Sequence, residues 1–332
     1  MAVSIKEVAR RAGVSLGTVS NVLNRPDQVS AATLERVRRA IAETGYVRND
    51  SARQLREGSS RTLAMVVLDM ANPFFADVAH GAEEEAARHG AMLVMCNSGD
   101  DPRREERHLE QIAQQRMRGV LITPADGDGE PALRTLAAQG VPAVLVDRHS
   151  DRPDRCSVSV DDVLGGRLAA EHLLATGHTR IGFVGGPQAV TQVSERRRGA
   201  AAAIAAANAR LYDIPTAALT FEAGRDAAAA LLDSADRPTA VFCANDLLAL
   251  GVLQTLILRG LTVPGDMAVI GYDDIDFAAA AAVPLSSIRQ PREELGRTAA
   301  RLLLEEAAGD GTHRHRHVVF MPELIARRST AA

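Results

Sequence analysis

Residues 4–24 read Ser-Ile-Lys-Glu-Val-Ala-Arg-Arg-Ala-Gly-Val-Ser-Leu-Gly-Thr-Val-Ser-Asn-Val-Leu-Asn, and this stretch decides the N-terminal fold. Ser4, with Glu7 three residues on, is a capping-box pattern that starts a helix. Ile5, Val8, Ala9 and Ala12 follow at helical spacing and give that helix one apolar face. Gly13 supplies a left-handed C-cap, Val14 plugs the turn, and Ser15 caps a second helix whose Val19, Val22 and Leu23 point inward. Leu16, Gly17, Thr18, Ser20 and Asn21 are left on or near the outer surface. Ser30 opens a third helix, with Leu34, Val37 and Ile41 as its inner stripe and Gly45 as its stop. Three short helices with a tight turn between the first two predict a helix-turn-helix. A plain three-helix bundle has the same periodicity. The small, polar outer side of helix two favours approach to base edges, and Arg10, Arg11, Arg25, Arg36, Arg38, Arg39 and Arg48 around it suit phosphates.

Charge follows the same division. Residues 1–60 hold one Lys and nine Arg against six acidic residues, a net +4, whereas the remainder holds 28 basic and 36 acidic residues, a net −8. A basic head on an acidic body suits nucleic-acid binding at one end. After the head, residues 49–58 offer Asp50 or Ser51 as a helix cap and Gly58 as a stop, enough for about two turns. So short a helix is unstable alone and needs a partner, its twin from a second subunit or DNA; a flexible linker has the same composition.

The 332 residues are too many for one small domain, and 46% hydrophobic with 24% charged residues fits a globular protein with a large core. No apolar run reaches the roughly 18 residues of a membrane helix, and no signal peptide is visible. Cys96, Cys156 and Cys243 are odd in number and far apart, so no disulfide framework or metal spacing follows, and a reducing cytoplasm is the expected location.

From Thr62 onward, strand-like runs at 63–68, 92–95, 120–122, 143–146, 181–184, 240–243 and 267–270 alternate with Ala-rich helical segments. That rhythm predicts parallel sheets covered on both faces, in two lobes divided near residue 161. The segments near 287–290 and after Pro291 are expected to return the chain to the first lobe. No Gly-x-Gly-x-x-Gly follows a strand, and Lys6 is the only lysine, so nucleotide chemistry has no support. Ligands of open α/β sheets sit at the carboxyl ends of strands. There the sequence places Asn72-Pro73-Phe74-Phe75, Asp147-Arg148, Asn245-Asp246 and Asp273-Asp274, with Arg196 opening the helix after the Gly185-Gly186-Pro187 loop. Singly, each has a bland reading as a cap, turn or core residue. Together they line a cleft suited to a polyhydroxylated ligand, with rings stacked on Phe and hydroxyls bonded to Asp, Asn and Arg.

Residues 4–24, Val29-Ser30 and the run Ala40-Ile41-Ala42-Glu43-Thr44-Gly45-Tyr46 resemble the head of the lactose/galactose repressor family, and the resemblance runs over essentially the whole chain. It implies a small all-α helix-turn-helix head (1–46), a hinge helix (47–60) and an effector-binding and dimerisation body (61–332). The body would be two doubly wound parallel-sheet lobes of periplasmic-binding-protein type. In that family the second helix reads bases through the positions matching Leu16, Gly17 and Asn21. The third is often Arg; Asn pairs with adenine where Arg favours guanine. Ser4, Ser15, Thr18, Ser20 and Asn24 complete the expected DNA contacts in the head, Arg53 is expected to neutralise phosphates beside the hinge, and Leu55 is the implied minor-groove wedge. Asp147, Arg196, Asn245 and Asp273 match effector-binding positions, Phe74, Phe75 and Arg148 match pocket walls, and Phe221 matches an aromatic lid in a stretch shorter than the usual motif.

The expectation is therefore a homodimeric, ligand-responsive repressor that binds a near-palindromic double-stranded operator and takes a sugar or sugar derivative as effector. No cofactor and no enzyme activity are expected, because no Ser-His-Asp or Cys-His set can be placed. His313, His315 and His317 alternate, but read as a solvated loop before the final strand; no second cluster completes a tetrahedral metal set. A transport solute-binding protein would share the body and lack the basic head. A sugar-processing enzyme would need a catalytic constellation in the cleft.

Overall fold

The computed structural model describes residues 3–47, 60–125, 130–150, 152–309 and 311–330. The chain forms two compact units, Met1–Ser60 and Arg61–Ala332. The hinge segment 49–58, with the expected DNA contacts Arg53 and Leu55, lies outside the described residues, as does Arg48.

In the head, α1 (Ile5–Ala12), α2 (Leu16–Asn24) and α3 (Ala31–Thr44) close on one apolar centre, with a 3-10 turn at Pro26–Gln28. Val8, Val19 and Val37 are fully buried there, joined by Ala9, Ala12, Val22 and Ala40, while Leu23, Leu34 and Ile41 pack at the margin. Gly13 and Gly45 both end their helices at φ 62°, the left-handed conformation that glycine adopts without a Cβ penalty. The expected capping box is not made. Ser4 accepts no capping bond, and the Glu7 carboxylate pairs with Arg10 one turn on. A charge-assisted partner within the helix outcompetes a reach back to the backbone amide.

The body begins with β1 (Thr62–Val67), α4 (Pro73–Arg88), β2 (Met92–Asn97), α5 (Pro102–Gln114), β3 (Gly119–Ile122), α6 (Glu130–Ala138), β4 (Ala143–Val146) and β5 (Ser157–Val160). At Asp161 the chain crosses to a second lobe, as the sequence placed it. There it forms α7 (Asp162–Ala175), β6 (Arg180–Val184), α8 (Thr191–Ala206), β7 (Arg210–Ile214), α9 (Phe221–Leu232), β8 (Ala240–Cys243), α10 (Asp246–Leu258), β9 (Ala268–Asp273), α11 (Asp276–Ala280) and β10 (Ser286–Arg289). α12 (Arg292–Ala307) and β11 (His317–Phe320) return to the first lobe, and β12 (Glu323–Ile325) ends in the second. The sheets run β11-β5-β4-β3-β1-β2 and β12-β10-β9-β8-β6-β7. Both are doubly wound, with the topological switch beside β1 and β6.

Two expectations need correction. The strand at Ser286–Arg289 stays in the second sheet beside β9, and the return to the first lobe starts only at α12. Its serines hold it there: Ser287 Oγ donates to Asp246 Oδ1 (2.7 Å), and the Ser286 amide donates to Ser329 Oγ (2.7 Å). The second sheet is also not wholly parallel, because β12 runs antiparallel to β10 at its edge.

Three helix pairs pack backbone to backbone through glycines. A Cβ on Gly81 or Gly296 would overlap the carbonyl of Glu293 or Val78 across α4 and α12. Gly166 and Gly199 make the same reciprocal approach between α7 and α8, and Gly224 and Gly251 between α9 and α10.

Candidate DNA-reading face and effector cleft

Helix α2 presents its expected face. Ser15 caps it, its Oγ accepting from the Thr18 amide (3.1 Å) and lying 2.9 Å from Thr18 Oγ1. Asn24 Nδ2 donates to the Ser20 carbonyl (2.9 Å) and Oγ (3.2 Å), so these two side chains hold each other at the C-terminal end. Leu16, 43% exposed, is an apolar side chain in the open on a polar face, and Gly17 and Asn21 beside it are also exposed. A Cβ at Gly17 would meet only Ser15 Oγ at 3.6 Å, so packing within the head does not demand glycine there. Asn21 makes no side-chain hydrogen bond among the described residues and keeps its amide available for bidentate pairing. Of the surrounding basic residues, Arg10, Arg11 and Arg39 are paired with Glu7, Glu43 and Glu35, while Arg25, Arg36 and Arg38 form no ion pair among the described residues.

In the body, a cavity of about 180 Å³ opens at the carboxyl ends of both sheets. Six of the eight expected effector residues line it: Phe74, Phe75, Asp147, Arg196, Asn245 and Asp273. Asn72 caps α4 by accepting from the Phe74 amide (3.0 Å), which sets Phe74 and Phe75 edge to face with centroids 5.1 Å apart. Asn245 caps α10 by accepting from the Leu248 amide (2.9 Å) and donates to the Leu219 carbonyl (3.0 Å). Arg148 and Phe221 do not line the cavity. Arg148 is buried behind Asp147, and Phe221 is the first residue of α9, where its neighbour Thr220 takes the lining position. Arg196 does not open its helix either: α8 starts at Thr191, and Arg196 reaches the cavity from its second turn.

Arg196 is the hub. Its Nε donates to Asp162 Oδ1 (2.7 Å), its Nη1 donates to the Ala244 carbonyl (2.7 Å) and lies 3.8 Å from Asp273 Oδ1, and its guanidinium stacks 3.7 Å from the Tyr272 ring centroid. Burial works against its charge, but Asp162 above all, with Tyr272, Asp273 and Asp147, raises its pKa. Burial also pushes the Asp147 carboxyl up to about 7 and the Asp273 carboxyl up to about 6. Gln192 Nε2 donates to Asp147 Oδ2 (2.9 Å), and Gln290 Nε2 donates to Asp273 Oδ1 (2.7 Å). Asp147 Oδ1 is buried with no partner among the described residues, so an acceptor is left for something entering the cavity. Both aspartates have positive φ, 55° and 104°, a conformation that sites tolerate where the surroundings enforce it.

The raised Asp147 pKa predicts a pH effect. The folded state favours the protonated carboxyl relative to its ordinary 3.8, so this stabilisation is complete below about pH 4 and is lost as pH rises through about 7. Between about pH 5 and pH 8, wild-type protein should lose thermal stability relative to Asp147→Asn. The comparison by thermal melts cancels His172 and His178, whose burial lowers their pKa and acts with the opposite sign. Parallel melting curves for the two proteins would refute it.

Sequence reasoning missed Gln192, Asp162, Tyr272 and Gln290. Asp162 stands after the Ser157–Val160 strand as the other site residues stand after theirs, but that strand alternates serine with valine and has no continuous apolar run to mark it. The two glutamines and the tyrosine sit in no motif and acquire partners only in the fold.

A helix-turn-helix with a small-residue exposed face on its second helix, on a chain whose body encloses a small cavity lined by phenyl rings, carboxyls and an amide, has the build of a ligand-responsive DNA-binding transcriptional regulator. Residues 4–49 match the model of bacterial regulatory proteins of the lacI family, and residues 170–330 match the periplasmic binding protein-like domain. The chain belongs to the LacI family. It is 35% identical to the HTH-type transcriptional repressor PurR of Photobacterium profundum, with 98% of each chain covered. It is 36% identical to the ribose operon repressor of Escherichia coli K12, covering 98% of this chain and 99% of that one. The Lac repressor dimer bound to operator and the anti-inducer ONPF has the same fold, with TM-score 0.88, 28% identity and 100% of both chains covered. These relatives are repressors rather than enzymes. No helix among the described residues is long and apolar enough to cross a membrane.

Proposed function

We propose that this chain is a cytoplasmic homodimeric repressor of a near-palindromic operator, and that its effector is a neutral sugar or sugar derivative. The observation that carries the effector class is the lining of the cavity. Phe74 and Phe75 offer ring faces, and Asp147, Asn245 and Asp273 offer the acceptors and donors that hydroxyl groups need. Asp69, Asp100, Asp147 and Asp273 line the cavity, and its one arginine is already paired with Asp162, which disfavours a phosphorylated ligand. At about 180 Å³ the cavity is smaller than the roughly 300–1,000 Å³ of drug-sized pockets, so the occupant is small.

Ligand binding in the cleft would shift the dimer between arrangements that favour or oppose a paired hinge over the operator, a coupling of about 1–3 kcal/mol. The test is a thermal-shift screen of the full chain against neutral sugars, sugar phosphates and nucleobases, followed by operator-binding titrations with each hit. Stabilisation and altered operator affinity with a neutral sugar are expected. A response confined to phosphorylated ligands or nucleobases would overturn the effector class. In the head, Asn21→Ala should cost about 1–3 kcal/mol at one operator position while binding to nonspecific DNA stays nearly unchanged; equal losses on both DNAs would remove Asn21 from the reading face. Leu55→Ala should weaken operator binding far more than effector binding, measured by anisotropy and calorimetry, because a wedge acts only on DNA.

A further inference from the structure

We propose that Cys156, Glu306, His313 and His315 form a tetrahedral site for a divalent cation of the zinc class in the first lobe. The sequence places the alternating histidines in a solvated loop before the final strand, with nothing to complete a ligand set. The fold supplies what spacing conceals. β5 and β11 pair in parallel with Ser157 opposite His317, so the residues just ahead of the two strands lie side by side although about 160 positions separate them in sequence. Glu306 reaches the same point from the last turn of α12.

One ligand atom from each residue, the Cys156 sulfur, a Glu306 carboxylate oxygen, and one ring nitrogen each of His313 and His315, lies within 4.8 Å of every other. Cys156 Sγ is 3.3 Å from His313 Nε2 and 3.9 Å from His315 Nδ1, and both of those nitrogens are 3.9 Å from Glu306 Oε2. Bond lengths of about 2.3 Å to sulfur and about 2.1 Å to nitrogen or oxygen put tetrahedral ligand atoms about 3.4–3.6 Å apart. The observed separations bracket that value, so small side-chain movements close the site. One thiol, two imidazoles and one carboxylate select zinc over magnesium or calcium, which take oxygen ligands.

Independent features support a site. Glu306 Oε2 is buried and accepts no hydrogen bond among the described residues. The Arg316 amide donates to Cys156 Sγ (3.3 Å), as backbone amides do to metal-bound thiolates, and His313 turns its other nitrogen toward Glu305 Oε2 at 4.0 Å. A groove lined by Glu85, His89, Glu305, Thr312 and His313 gives access from the surface. His317 is not part of the set: its Nδ1 lies 2.9 Å from Ser157 Oγ. The cluster is at the amino ends of the strands, away from the effector cavity at their carboxyl ends.

The experiment uses tag-free full-length protein, stripped with chelator and titrated with zinc against a chromophoric competitor, and in parallel with cobalt(II). Zinc is expected to bind at one equivalent, and the cobalt form should show a thiolate charge-transfer band with the intense visible bands of tetrahedral cobalt. Cys156→Ser should abolish the charge-transfer band. Glu306→Gln should weaken zinc by at least about tenfold, since loss of even an outer-shell partner costs about 10–100-fold. His317→Ala should bind as wild type. Substoichiometric zinc, an octahedral cobalt spectrum without charge transfer, unchanged affinity in Glu306→Gln, or equal loss in His317→Ala would each overturn the site. If Cys156→Ser fails to fold, the wild-type cobalt spectrum and Glu306→Gln still decide it.

Discussion

Arg196→Ala is expected to destabilise the body by about 3–5 kcal/mol, read as a drop in denaturation midpoint, and not merely to silence the effector response. The guanidinium is 4% exposed and sits against the buried carboxylates of Asp162, Asp147 and Asp273. Removing it leaves the buried Asp162 carboxylate in a low-dielectric interior without its ion-pair partner. The same truncation strips the Ala244 carbonyl of its donor and opens space over the Tyr272 ring. A variant as stable as wild type would show that the network relaxes freely and that Arg196 is there only for the ligand. A substitution that probes ligand binding with less cost to the fold is better placed at Asp147, where Asn preserves shape and one acceptor oxygen.

Gly296→Ala should cost about 3 kcal/mol or more, the upper end of overpacking penalties. The added methyl group would fall on the Val78 carbonyl, and α4 cannot back away because Gly81 presses its own backbone on the Glu293 carbonyl at the same crossing. Backbone has no rotamer with which to yield, so the whole of α12 must move off α4, opening the core around Leu295, Ala299 and Leu303. Chemical denaturation gives the number, and alanine at Gly90 is not an equivalent control because its φ of 61° brings strain of its own. A change below about 1 kcal/mol would show that the helices separate at little cost.

The head was legible almost to the residue because its signals are local: caps, a 3.6-residue period and two glycine stops. Its one misreading, the Ser4–Glu7 capping box, failed against another local partner, Arg10. In the body, the strands that read clearly are the continuous apolar ones. β5, β7, β11 and β12 did not, for a physical reason: β7, β11 and β12 are sheet edges that mix polar with apolar residues instead of running continuously apolar, and β5 buries two serines that the fold alone surrounds. The cleft was legible where a residue ends or closely follows an apolar strand, as with Asp147, Asn245 and Asp273. Gln192, Gln290 and Tyr272 were invisible because what identifies them is a partner elsewhere in the chain. The alternating histidines were legible as a motif and misjudged as isolated, since Cys156 lies about 160 residues away.

The chain passes between the lobes three times, and this bears on its synthesis. The first lobe buries Leu295, Leu302 and Leu303 of a helix made after the second lobe's five main strands, and the second sheet is completed only by β12 at Glu323–Ile325. Neither half can therefore finish as the ribosome produces it; each waits, with apolar surface uncovered, for the last few dozen residues. A premature stop codon anywhere before β11 therefore leaves both halves incomplete rather than sparing one.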